Sequence, residues 1–145
     1  MASKDKLLLV GVAVVFNRDN RGKPRWFVIR QTADGEWELP KMAVRRGESS
    51  VRSVIRAMGE QGGMKVKVLE EVGRSGGAVT VNGKVVSQRY LYYLMLEKGG
   101  GEVLGFEQYD WLDYPKAVRK LVTKRDKQML MTARDMVKEM EKKKK

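Results

Sequence analysis

The sequence lacks cysteine and histidine altogether, and only three of its 145 residues are proline. Without cysteine there are no disulfides and no thiolate metal sites, which fits a reducing compartment. Without histidine there are no imidazole bases, no Ser-His triads and few possible zinc sites. Any general acid or base must therefore be a carboxylate, a lysine or a tyrosine.

Long apolar runs are also missing. The longest candidate, Leu7 to Phe16, is preceded by Lys4 and Lys6, as the core of a signal peptide would be. It is too short to span a bilayer, and a polar turn that begins at Asn17 follows it where a cleavage site would require small residues. We therefore expect a buried first strand in a cytoplasmic protein with no membrane partner.

Negative charge is scarce, with 18 Asp and Glu against 30 Lys and Arg, and the net charge is +12. Four of these positive charges form a terminal lysine run, which we separate as a basic tail (142–145) from a single domain (1–141). A basic body favours polyanionic partners such as nucleotides or RNA. The tail itself is either a solvated, frayed end that aids solubility or a further contact for polyanions.

Hydrophobic periodicity predicts several strands and two helical regions. Residues 50–61 carry one apolar stripe at helical spacing, with Ser49 or Ser50 as the cap. Asn82-Gly83 predicts a type I′ hairpin turn, and Pro115 marks the start of a C-terminal helical region. Further strands are predicted at 7–16, 26–30, 64–72, 89–96 and 106–112. This irregular alternation indicates an α/β (α+β) fold with a mixed sheet flanked by helices.

One stretch carries a family signature. A Trp-x-Leu-Pro-Lys segment (37–41) leads into Gly47-Glu48-Ser49 and then into the helix. This region resembles the Nudix family, whose signature is G-x5-E-x7-R-E-U-x-E-E-x-G-U, where U is a bulky aliphatic residue. Laid on residues 42–64, the signature is matched by Glu48, Arg56, Met58, Glu60, Gly63 and Met64. Met42, Ala57 and Gln61 replace a glycine and two glutamates.

The resemblance covers residues 7 to 137 and implies an α/β/α sandwich with a mixed sheet. Within the family, the segment from Tyr109 to Leu112 is most similar to hydrolases of diadenosine polyphosphates and related nucleotides. Such enzymes hold Mg²⁺ or Mn²⁺ on the carboxylates of the signature helix, because these ions prefer oxygen ligands.

The resemblance assigns roles to individual residues. It implies Glu60, Glu48, Arg56 and Glu107 as catalytic residues, and Glu60, Gln61 and Glu107 as metal ligands. A salt bridge to Arg56 is the expected task of Glu48. Because Ala57 offers no ligand and Gln61 no charge, divalent binding should be weakened.

The substrate-binding candidates are cations and rings near the signature. Arginine suits phosphates because of its bidentate geometry, and aromatic rings can stack on a base, although most rings in strands belong to a core. The candidates are Arg30, Lys41, Arg45, Tyr92 and Tyr109.

Two functions remain open at this point. The first is a metal-dependent pyrophosphohydrolase, weakened or relocated, that acts on a nucleoside diphosphate linked to another group, such as a dinucleoside polyphosphate. The second is an inactive module that binds a nucleotide or RNA. The sequence leaves the oligomeric state open.

Overall fold

A computed structural model of the chain describes residues 7–103 and 105–143. Lys4 and Lys6 of the apolar lead-in, and Lys144 and Lys145 of the predicted tail, lie outside these residues. No helix within the described ranges combines the length and the apolar composition that crossing a membrane requires.

Six strands and three helices make up the described structure. In chain order they are β1 (Leu7–Arg18), β2 (Pro24–Arg30), β3 (Lys41–Ala43), α1 (Ser50–Glu60), β4 (Met64–Val81), β5 (Lys84–Gly100), β6 (Gln108–Leu112), α2 (Tyr114–Lys120) and α3 (Lys124–Lys143). The strands form one sheet in the order β4-β5-β1-β2-β6, and β3 also pairs with β1. Strands β1 and β5 are parallel, whereas the other pairs are antiparallel. The sheet is therefore mixed, as the sequence predicted.

The sheet separates two hydrophobic clusters because alternate residues of a strand point to opposite faces. On one face, Ala13 and Val15 of β1 pack with Val54 and Met58 of α1. On the other face, Val12 and Val14 pack in a cluster that includes residues of α2 and α3. The helices thus cover both faces, which gives the α/β/α sandwich that the resemblance implied.

Local signals in the sequence set several boundaries. Ser49 caps α1 by accepting a hydrogen bond from the backbone N–H of Arg52, as expected. Asn82 and Gly83 adopt φ angles of 51° and 78°, which is the geometry of the predicted type I′ turn. The hairpin on either side of this turn is much longer than predicted, because β4 continues through the glycines at 73, 76 and 77 and pairs with β5 with several shifts of register.

The last strand begins later than predicted. It starts at Gln108, and Phe106 belongs to the preceding loop. Phe106 is buried against the α1 face of the sheet, where its ring lies 6.1 Å from that of Phe27. In the sequence pattern, this one buried residue of the loop therefore resembled the start of a strand.

Candidate functional site

Arg56 organises the signature region. Its Nε donates a hydrogen bond to Oε2 of Glu48 at 2.9 Å, and its Nη2 donates to Oε1 at 2.9 Å. The backbone N–H of Arg45 also donates to Glu48 Oε1, at 3.1 Å. These bonds brace the loop 44–49 against α1. The hydrogen bonds from Arg56, followed by that from Arg45, lower the pKa of Glu48 from 4.5 to about 2.

Glu60 lies one turn further along the same helix and faces the same guanidinium. Its Oε1 is 3.7 Å from Nη1 of Arg56, and its side chain is 59% exposed. One arginine therefore compensates both signature carboxylates, and the hydrogen bonds with Glu48 raise the pKa of Arg56 itself. The signature from 42 to 64 contains four arginines and only two glutamates, so its surface attracts anions more than cations.

The two replaced glutamate positions lie in different surroundings. Ala57 is 1% exposed and is part of the apolar cluster beneath α1. Met42, at the glycine position, packs against the same cluster, which also contains Phe106. Gln61 is partly buried, and its Oε1 has no hydrogen-bond partner in the described residues.

The loop that carries Glu107 is fastened to the end of α1. The backbone N–H of Gly105 donates to the carbonyl of Gln61 at 3.0 Å, and that of Gly101 donates to Gly63 at 2.7 Å. Gly63 adopts a φ of 60° and lies against the backbone of Glu102. A glycine is required there because a Cβ would collide with that carbonyl. The exposed Glu107 follows two residues after Gly105.

This donor set does not fit a divalent cation held by carboxylates. Mg²⁺ requires near-octahedral oxygen ligands, but Ala57 and Phe106 belong to an apolar cluster and Met42 packs against it. Glu60 shares the guanidinium of Arg56. Within residues 7–103 and 105–143, no three acidic side chains are grouped as a metal site would require. The described residues therefore provide too few carboxylates for such a site.

The predicted substrate-binding residues are divided between the two faces. Arg45 is exposed on the loop before α1. Tyr109 is 46% exposed, and its ring lies 5.9 Å from Phe27 on the α1 face. Arg30, in contrast, donates from Nε to the carbonyl of Gly35 at 2.8 Å, and its guanidinium lies 5.7 Å from the ring centroid of Trp37.

Lys41 and Tyr92 lie on the opposite face and meet at Asp126 of α3. Asp126 is fully buried and accepts hydrogen bonds from Lys41 Nζ and the Tyr92 hydroxyl, both at 2.8 Å, and from the backbone of Leu39 at 3.1 Å. Lys41 also forms an ion pair of 3.3 Å with Glu38. Burial, then the charge of Asp126, raises the pKa of Tyr92. These two side chains therefore stabilise the junction between the sheet and α3.

Sequence reasoning missed Asp126, and the alternation of β5 gives only the face of the sheet on which Tyr92 lies. Strand β5 alternates Tyr90, Tyr92 and Leu94 on one face with Leu91 and Tyr93 on the other. That alternation separates Tyr92 from the signature helix. Tyr93, in contrast, faces α1, where its hydroxyl shares a hydrogen bond with Ser50.

Comparison with known proteins identifies the fold. No protein-family model matches the chain, and no curated protein matches its sequence. Among solved structures, an Ap4A hydrolase of C. elegans in a binary complex superposes with a TM-score of 0.70 at 15% identity, covering 90% of this chain and 97% of that one. The chain has the Nudix fold. The fold that the signature implied is thereby confirmed, despite the changes at Met42, Ala57 and Gln61.

Two further Nudix-fold structures show the breadth of this similarity. The E. coli dihydroneopterin triphosphate pyrophosphohydrolase has a TM-score of 0.68 at 13% identity, and covers 84% of this chain and 91% of its own. The Nudix domain of Shewanella oneidensis NrtR, solved with ADP ribose, has a TM-score of 0.66 at 14% identity, and covers 94% and 92% respectively.

Proposed function

We propose that this Nudix-fold domain binds a nucleotide through its diphosphate, with little or no hydrolysis. The observation that carries the proposal is the bidentate pair of Arg56 with Glu48, together with Glu60 on the same guanidinium. A carboxylate that is neutralised by an arginine is a poor metal ligand. The arginines that remain around it are suited to phosphate oxygens.

The phosphate contacts are assigned to the exposed arginines before and on α1. Arg45 and Arg46 lie on the braced loop, and Arg52 lies in the first turn of the helix. Since Glu48 fixes the backbone of this loop through the N–H of Arg45, the loop is held ready for an anion. Preorganisation of this kind lowers the entropic cost of binding.

The base is assigned to Tyr109. It is the exposed member of an aromatic group on the α1 face in which Phe27 lies 5.9 Å from Tyr109 and 4.8 Å from Trp111. A half-exposed ring supported from below offers a stacking surface. Neighbours of the same fold include an Ap4A hydrolase and a domain solved with ADP ribose, so we assign an adenine nucleotide as the ligand class.

The test is titration calorimetry with ADP, AMP and inorganic pyrophosphate. We expect ADP and pyrophosphate to bind, and AMP to bind at least tenfold more weakly. Arg45→Glu combined with Arg46→Glu should weaken ADP binding at least tenfold. The control Lys65→Glu with Lys67→Glu alters the same number of exposed charges on β4 and should change it less than twofold. Equal losses in both variants would contradict the assignment.

Hydrolysis is the second candidate. The hydrogen bond from Gly105 to Gln61 holds the loop of Glu107 against the end of α1. Oε1 of the same Gln61 has no hydrogen-bond partner among the residues that the structure describes. Glu60, Gln61 and Glu107 are the residues that would form a relocated Mg²⁺ or Mn²⁺ site. Metal-dependent release of phosphate or nucleotide from Ap4A or ADP-ribose, abolished by Glu60→Ala, would establish this function in place of simple binding.

A further inference from the structure

The corner between α2 and α3 concentrates positive charge. Residues 116–127 contain six cations and a single carboxylate, Asp126. That carboxylate is fully buried and bonded to Lys41, Tyr92 and the backbone of Leu39. None of the six cations forms an ion pair with a carboxylate of the described residues. The six form the corner patch: Lys116, Arg119, Lys120, Lys124, Arg125 and Lys127.

Two aromatic rings lie against this patch. Lys120 Nζ is 4.3 Å from the ring centroid of the partly exposed Trp37, and Arg30 lies 5.7 Å from the same ring. The guanidinium of Arg125 lies 4.2 Å from the centroid of Tyr90, which is 9% exposed. Trp37 is joined to the corner through its carbonyl, which accepts a hydrogen bond from Val122 at 3.3 Å. Two cations of the patch thus lie over aromatic rings.

The patch lies at the same end of the sheet as the signature loop. Tyr90, Val10 and Ala43 are adjacent residues on β5, β1 and β3. Arg125 covers Tyr90 on the α3 face, and Arg45 follows Ala43 by two residues. The start of α3 and the loop before α1 therefore lie at the same end of the sheet.

We propose that the corner patch binds the backbone of single-stranded nucleic acid. Cations without a carboxylate partner can meet successive phosphates, and the partly exposed Trp37 beside Lys120 offers a stacking surface for an unpaired base. A membrane surface would favour several exposed apolar side chains for insertion, whereas Val122 is the one large exposed aliphatic residue within 116–127. The proposal concerns different residues from those of the nucleotide site, so either can fail while the other stands.

The test uses the full chain and a fluorescein-labelled, 5′-hydroxyl oligouridylate of about twelve nucleotides, a length within the span of known single-strand sites. This RNA has no terminal diphosphate, so it lacks the group that is assigned to the signature loop. Anisotropy titrations over a range of salt should give a plot of log affinity against log salt with a slope of roughly −3 to −4 if most of the six cations meet phosphates.

Two variants with the same change in charge distinguish RNA binding by the patch from attraction of RNA to the net positive charge of the protein. The patch variant removes three exposed charges from the patch: Lys116→Gln, Arg119→Gln and Lys124→Gln. The control removes three exposed charges from β4 and β5: Lys65→Gln, Lys67→Gln and Lys98→Gln. The patch variant should bind at least tenfold more weakly and reduce the slope by about 2, while the control changes less than twofold. Equal losses in both variants, or no binding by the unmodified protein at low salt, would overturn the proposal. So would patch-dependent binding to phosphatidylserine vesicles without binding to RNA.

Discussion

Arg56 donates two hydrogen bonds of 2.9 Å to Glu48, and its Nη1 lies 3.7 Å from Oε1 of Glu60. Both glutamates of the signature therefore interact with the same guanidinium. Glu60 is the single carboxylate within α1, and it lies beside this guanidinium. This relationship supports the proposal that the domain binds a diphosphate.

The first prediction concerns the pH dependence of stability. The pKa of Glu48 is lowered to about 2 in the folded protein from an ordinary value of 4.5. A lowered carboxyl pKa contributes stability that is fully present above pH 4.5 and is lost as the pH falls toward 2. Glu48→Gln should therefore lower the thermal midpoint at neutral pH, and the difference from the unmodified protein should vanish near pH 2. Glu70→Gln, at an exposed carboxylate, is the control; if it has the same pH profile, Glu48 is not responsible.

The buried junction at Asp126 gives the second prediction. Asp126→Ala should lower the free energy of unfolding by about 3–5 kcal/mol, because it leaves Lys41 without its buried partner. Tyr92→Phe removes one donor and should cost about 1–3 kcal/mol. Urea denaturation measures both values. A cost below 1 kcal/mol for Asp126→Ala would show that the junction does not stabilise the fold.

Restoring the two glutamates tests the fit of a metal. Ala57 is buried in an apolar cluster, so Ala57→Glu with Gln61→Glu should lower the free energy of unfolding by at least about 2 kcal/mol. If the geometry of the site survives, Mn²⁺ should raise the thermal midpoint of this double variant and not that of the unmodified chain. Ala57→Gln with Gln61 unchanged, similar in size but uncharged, should show no response to Mn²⁺. An equal rise in the unmodified protein would mean that the present residues already hold a metal.

A fourth prediction separates base from phosphate recognition. Tyr109→Ala should weaken ADP binding by about 1–3 kcal/mol, the usual worth of one stacking contact, and leave pyrophosphate binding unchanged. Tyr109→Phe keeps the ring and should retain most of the ADP affinity. If both variants bind ADP normally, the base contacts another residue.

The fold was predictable because its signals are local. The Ser49 cap, the Asn82-Gly83 turn and the alternation in β1 each specify a short segment, and together they indicate the sandwich. The contacts of Glu48 with Arg56 were also predictable, since the signature spaces them on one loop and one helix. The junction that Lys41 and Tyr92 form was not predictable, because both contact Asp126, a residue 34 positions after Tyr92 in the sequence.

The most direct test of a domain that binds diphosphate without metal chemistry is ADP affinity measured with EDTA and then with Mg²⁺, together with product analysis of Ap4A and ADP-ribose. We predict that ADP affinity differs less than twofold between the two conditions and that neither compound is cleaved. ADP binding that requires Mg²⁺, or cleavage that Glu60→Ala abolishes, would contradict the account and identify a working hydrolase.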